Sequence, residues 1–276
     1  MNLIMSISSP FNGPKQRIDR AIAHKHVIAH IWNEAIPYAA YRPRVKMNHD
    51  GTGNIFVGVG DPTLMLTISL EYGELFYQLR AALDGAIYES AILQSGKTPP
   101  PNEGALQFPI CSSQTDFNKA RRNIAPLSDE CKSFIESVQP YNAPALPADA
   151  MVEDPARTLS ILGDLARKDR HRSLHAMGIL PTTAHPEFRL PEGMSIAYLT
   201  VLDGGVLKDE RIIATFKIDG FRPYFGIEVN PNLIFEIAIA EALPKRAEND
   251  TLNGRTESMI IVTGAIVDWF ERYFNI

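Results

Sequence analysis

The chain has little of what marks several whole classes of protein. It has two cysteines in 276 residues. Cys111 and Cys131 form no CxxC pair and are too few for a disulfide framework, so both are expected unpaired in a reducing compartment. No apolar run reaches the roughly 18 residues of a membrane span. The start, MNLIMSISSPFNG, is apolar only briefly and lacks the basic and long hydrophobic regions of a secretory signal. A cytoplasmic protein without a membrane partner is the expectation. There is no basic excess either: 27 Lys and Arg stand against 32 Asp and Glu, a formal net charge of -5. That argues against general coating of nucleic acid, though it leaves room for a small basic pocket. Neither an internal repeat nor a low-complexity tract is found.

What is present is an ordinary globular composition, 45% hydrophobic and 21% charged, in a chain long enough to bury a core without metal staples. No cofactor or metal is expected. Residues 15–36 place Ile18, Ile22, Val27, Ile31 and Trp32 at roughly helical spacing before Pro37 stops the element. Arg44 to Asn48 and Asn54 to Val59 flank a Gly-rich turn and read as a β-hairpin able to extend a later sheet. Residues 70–94 form the strongest internal helix, with Leu75, Leu79, Leu83, Ala86 and Ile87 on one face and Gly96 past its end. Ser128 opens a short helix that ends before Pro140, and residues 156–177 form another that carries Leu159, Leu162, Leu165 and Ala166.

From about Met194 the period changes to two. Segments 194–202, 210–218, 224–229 and 233–240 are rich in Ile, Val, Phe and Tyr and are expected to form one antiparallel sheet. Val262, Ala265, Ile266, Trp269, Phe270 and Tyr273 then return to an amphipathic helix suited to cover a face of that sheet. The chain therefore reads as α+β. Residues 1–185 form a mainly helical domain with a short β-hairpin, and residues 186–276 an antiparallel sheet with a C-terminal helix. The boundary lies near Pro181 to Pro191, and the two parts are free to pack as one unit.

Two helices carry the candidate chemistry. Tyr77, Arg80 and Asp84 share one stripe of the 70–94 helix, where Arg80 and Asp84 make either an i,i+4 surface pair or part of a site. On the 156–177 helix, Asp169 falls near the centre of the apolar stripe of Leu162, Leu165, Ala166, Ser173 and Ala176. An acid where a core residue belongs needs a partner, because burying a bare carboxylate costs several kcal/mol. Arg172 one turn away and Arg80 across the interface are the candidates. A buried ion-pair network and an active site are equally compatible with this pattern. His171 and His175 have the spacing of a zinc pair, but no HExxH glutamate follows and no third ligand suggests itself. The other histidines, at positions 24, 26, 30, 49 and 185, read as solvated or capping residues.

At these residues the chain resembles a family of bacterial proteins common in actinobacteria, with an "LR-small-ALD" helix, a "QFPI" segment and a "DKHR" helix. Here these are Leu79-Arg80-Ala81-Ala82-Leu83-Asp84, Gln107-Phe108-Pro109-Ile110 and Asp169-Arg170-His171-Arg172. The chain departs from that pattern with Tyr77 for His, Arg167 for Asn and Arg170 for Lys. The resemblance identifies residues rather than a reaction. A more distant resemblance is to the HEPN ribonuclease superfamily of toxin and phage-defence systems, through Arg170-His171-Arg172-Ser173-Leu174-His175. It implies a metal-independent endoribonuclease acting on RNA. His171 or His175 would move the proton of the attacking 2′-hydroxyl, and Arg170 would stabilise the phosphorane, with Arg80, Asp84, Asp169 and Arg172 completing the site. A homodimer is compatible with that reading. The alternatives are a non-catalytic protein that binds an anionic ligand or a partner chain at the same cluster, and a purely structural ion-pair network.

Overall fold

The structure, a computed structural model, describes residues 9–35, 43–58, 62–143, 154–171, 177–202, 210–223, 226–239 and 252–276. Among these residues, six α-helices and an antiparallel four-stranded sheet make it an α+β protein. In chain order the elements are α1 (Asn12–Ala35), β1 (Arg44–Met47), β2 (Thr52–Val57), α2 (Pro62–Ser95), α3 (Gln114–Ala120), α4 (Asp129–Ser137), α5 (Pro155–His171), β3 (Met177–Ala184), β4 (Glu187–Arg189), β5 (Ser195–Val201), β6 (Arg211–Asp219), β7 (Glu228–Asn230), β8 (Leu233–Ile239) and α6 (Leu252–Tyr273).

Contacts divide the chain into two discontinuous units, and not at residue 185. The first comprises Met1–Ile28, Leu70–Leu174 and Pro244–Ile276, and the second Ala29–Ser69 and His175–Leu243. The hairpin β1–β2 therefore belongs with the later strands, and α6 with the helices. Hydrophobic periodicity reports that a face is buried without reporting what buries it, and the rings of α6 meet α4.

In the first unit α2 is the central element. Leu75, Phe76, Leu79, Leu83 and Ile87 are fully buried, and the helix closes on Gly96, whose φ of 65° is the left-handed cap that glycine adopts without a Cβ penalty. Short helices start where a serine accepts the orphan amide of the third residue on. Ser113 does so for Asp116 at 3.1 Å and Ser128 for Cys131 at 3.2 Å, the standard N-cap arrangement. The Trp269 ring of α6 stacks on Phe134 of α4 with centroids 3.8 Å apart, and Tyr273 meets the Ser128 hydroxyl at 3.0 Å.

Lys15 ties α1 to α6 through Glu271 at 2.5 Å, and the Ser9 hydroxyl donates to the same carboxylate at 2.8 Å. These bonds hold the Glu271 carboxyl below the ordinary glutamate range, the Lys15 bond foremost. A carboxyl whose folded pKa is depressed contributes stability above its unfolded pKa, and that stability fades as pH falls through the folded value. Denaturation midpoints taken between pH 6 and pH 3 should therefore fall less steeply in Glu271→Gln than in wild type. Parallel curves would show that the pair contributes nothing.

In the second unit the sheet order is β1-β2-β6-β5, all antiparallel. β6 is central, with Ile213, Ala214, Phe216 and Ile218 buried. Gly51 in the β1–β2 turn has a φ of 81°, and a Cβ there would lie 2.6 Å from the Ile218 carbonyl oxygen, so both the backbone angle and the close approach call for glycine. Asp50 folds back on Thr52, accepting its N–H at 3.0 Å and its hydroxyl at 2.6 Å, the local bond that makes aspartate a turn residue.

The last two period-two segments do not join this sheet. β8 pairs with β3 and β7 with β4, and the register runs unbroken from Thr183↔Ile234 to Arg189↔Glu228, so the two pairs form one long antiparallel ribbon. Pro186 and Pro231 interrupt it, since neither can donate to the ladder. β3 replaces what reads in sequence as a helix end and a linker. Pro181 sits beside a register shift between Pro181 and Thr183, the bulged position at which a strand tolerates proline. Among the described residues, no helix is long and apolar enough to cross a membrane.

Candidate functional site

The LRxALD and QFPI motifs meet in the first unit. Residues 107–111 run past α2 without regular secondary structure, and Phe108 is fully buried. The Asp84 carboxylate accepts the Phe108 N–H at 2.9 Å, and Arg80 Nη2 donates both to Asp84 Oδ1 at 3.0 Å and to the Phe108 carbonyl. A single ion pair thus meets both polar groups of one residue, as a neighbouring strand would. The Arg80 side chain is 7% exposed and that of Asp84 30%, so this is no surface pair of the kind that contributes a few tenths of a kcal/mol.

Gln139, 0% exposed, bridges the next stretch, from the Pro109 carbonyl to the Cys111 N–H. Its Nε2 donates to the Pro109 and Ile135 carbonyls, each at 2.9 Å, and its Oε1 accepts the Cys111 N–H at 2.9 Å. Ile135 lies in the last turn of α4, whose carbonyls have no intrahelical donor. One amide therefore caps a helix and pins the segment. Nothing in the local sequence marks Gln139 for this role, and the sequence reading passes over it.

Beside the pinned segment lies a cleft of about 410 Å³. One wall is the segment itself, Gln107 to Ser112. Another is a single stripe of α5, with Ser160, Gly163, Asp164 and Arg167, and Ala120, Asn123 and Pro140 complete it around Arg80. Gly163 lets the helix approach, because a Cβ there would meet Ile110 Cγ2 at 3.0 Å. Asp164 and Arg167 pair at 2.8 Å and are 53% and 69% exposed. The turn that supplies Asn123 also carries Arg121 and Arg122, both exposed. The Cys111 thiol, half-buried, is raised above the ordinary cysteine range mainly by burial, with Asp116 adding and Arg80 opposing. It is therefore protonated at neutral pH and is a poor nucleophile.

Of the residues singled out in sequence, Arg80 lines this cleft and is paired with Asp84. Asp169, Arg170 and His171 form the last turn of α5, one turn beyond Arg167, and their side chains lie outside the described residues. Arg172 and His175 lie wholly outside them, as does the expected bond between Asp169 and Arg80 or Arg172. Among the other histidines, His24, partly exposed, lies with Nδ1 2.7 Å from Glu71 and ties α1 to α2. Among the described residues, no group of three or more His, Cys, Asp or Glu is placed to hold a metal. Residues that spacing alone could not find are Asn123, Ser160, Gly163 and Arg167, which reach the cleft from elements distant in sequence. No family model, no curated protein and no solved structure matches the chain.

Proposed function

We propose that the cleft binds an anionic ligand. The observation that carries this reading is local charge against the global balance. In a chain of net charge -5, Arg80 and Arg167 line the cleft and Arg121 and Arg122 flank one wall. Asp164, which lines the cleft, is engaged by Arg167, and Asp84 is engaged by Arg80. Arg80 is committed to the Phe108 carbonyl, so Arg167 is the cation best able to turn to a ligand. Its present partner holds it weakly, since exposed pairs contribute about 0.2 to 1 kcal/mol.

Thermal melts of wild type with inorganic pyrophosphate in the millimolar range should show a rise, because a ligand at 100 times its Kd adds about 2.7 kcal/mol. Arg167→Ala should lose that rise while melting close to wild type without ligand. A wild-type melt that does not move with pyrophosphate, phosphate or citrate would remove the anion reading.

The spacing along α5 favours a second reading, in which the anion is the phosphodiester of RNA. Ser160, Gly163, Asp164 and Arg167 return to one face of a helix, and the next positions in that series are Arg170 and His171. A general base at His171 would contribute about 10²- to 10⁴-fold to cleavage. In EDTA, His171→Ala and His175→Ala should lose cleavage of single-stranded and tRNA-like RNA by at least that factor with the melting temperature little changed. Cleavage that survives both substitutions and Arg170→Ala would place the activity elsewhere.

A further inference from the structure

The cleft has a polar complement beyond its cations. Gln107, Ser112, Asn123 and Ser160 all line it. Among the described residues, none of these four side chains has a hydrogen bond within the chain, whereas Gln139, which lies behind the segment, spends its whole amide on backbone groups. Two amides and two hydroxyls supply both donors and acceptors, the set that complements groups which themselves donate and accept, above all hydroxyls. The cleft also lacks something. Among the described residues, Phe108 is the one aromatic in the lining and is 0% exposed, so none of them presents a ring on which a nucleobase could stack. At about 410 Å³ the space is near the small end of ligand sites, which run from roughly 300 to 1,000 Å³.

Building on the anionic-ligand reading, we infer that the ligand is a phosphate ester of a polyhydroxylated carbon skeleton, a sugar or polyol phosphate. The phosphate lies toward Arg167, within the field of Arg121 and Arg122. The hydroxyls meet Asn123 and Ser112 on one side and Ser160 on α5 on the other. Gly163 packs on Ile110 and so brings the α5 wall close to the segment that forms the other wall. A free sugar lacks the group that the cations hold, and inorganic phosphate lacks the groups that the amides and hydroxyls hold.

The test is calorimetric titration of the full chain with glucose 6-phosphate and ribose 5-phosphate against glucose, inorganic phosphate, citrate and AMP. Liposomes of phosphatidylcholine with phosphatidylinositol 4-phosphate, read by co-sedimentation, distinguish a lipid headgroup from a soluble ester. A sugar phosphate, or the headgroup, should bind at least tenfold more tightly than inorganic phosphate. That ratio should collapse toward one in Asn123→Ala and Ser160→Ala, with melts in parallel to confirm folding, and Arg167→Ala should weaken every anion. If phosphate binds and responds to Arg167→Ala but the esters bind no better, the polyol inference falls and the anion reading stands. AMP binding more tightly than the esters overturns the inference in favour of a base subsite. If no anion binds, both fall together.

Discussion

Replacing Gln139 by alanine should cost the protein about 4 kcal/mol. The change leaves three backbone groups without their partner, namely the Pro109 and Ile135 carbonyls and the Cys111 N–H, each now met at 2.9 Å. Each buried polar group left unmatched costs roughly 1 to 3 kcal/mol, and water entering from the cleft relieves only part of that. Gln139→Glu is the sharper control. It keeps the shape and the acceptor for Cys111 but turns an oxygen toward two carbonyl oxygens, so at neutral pH it should be about as damaging as alanine. As the pH falls and the carboxyl takes up a proton, one donor returns and the deficit should shrink. Equilibrium urea denaturation measures all three proteins. A loss below about 1 kcal/mol for alanine would mean that the segment holds its course without Gln139.

The segment that depends on Gln139 shows why the site was only partly legible in sequence. Periodicity located α2 and α5 because Leu75, Leu79, Leu83 and Ile87, and then Leu159, Leu162, Leu165 and Ala166, are buried as the spacing demands. The hairpin β1–β2 was legible from its turn, and its pairing with β6 follows from the same alternation. Arg80 and Asp84 stood out because polar groups shared a stripe on an apolar helix. Spacing, however, carries no information about partners remote in sequence. Gln139 reaches Pro109 across 30 residues, and a buried glutamine looks in sequence like any surface one. The cleft stripe of α5 carries Ser, Gly, Asp and Arg, which no hydrophobic pattern distinguishes from a solvated face.

The sheet failed in a more instructive way. Segments 224–229 and 233–240 have correct strand character, and β7 and β8 are there, but strand propensity does not choose a neighbour. Their partners β3 and β4 contain or adjoin Pro181 and Pro186, residues that in sequence argue for a linker. A two-stranded ribbon has free edges along which a proline's missing N–H costs no ladder bond, so proline is admissible here where a central strand would refuse it.

Asp84→Ala should destabilise the protein by about 3 kcal/mol, since it removes charge-assisted bonds to Arg80 and to the Phe108 N–H, each typically about 1.5 to 3 kcal/mol and partly offset by water. The more telling quantity is its coupling to Gln139. Both side chains hold one short stretch of backbone, Asp84 from α2 and Gln139 from just past α4. Once either releases it, the other grips a segment that is already free to move. The double variant should therefore lose less than the sum of the two singles, by more than about 1 kcal/mol, where unconnected sites would add within a few tenths. A second readout reports the segment itself. In a Cys131→Ser background, the Cys111 thiol is half-buried and raised by that burial, so it should react slowly with a disulfide reagent in the parent and several-fold faster in either single variant. Additive stabilities together with unchanged thiol rates would show that the two clamps act on separate parts of the fold, and the cleft wall would then have to be held by something else.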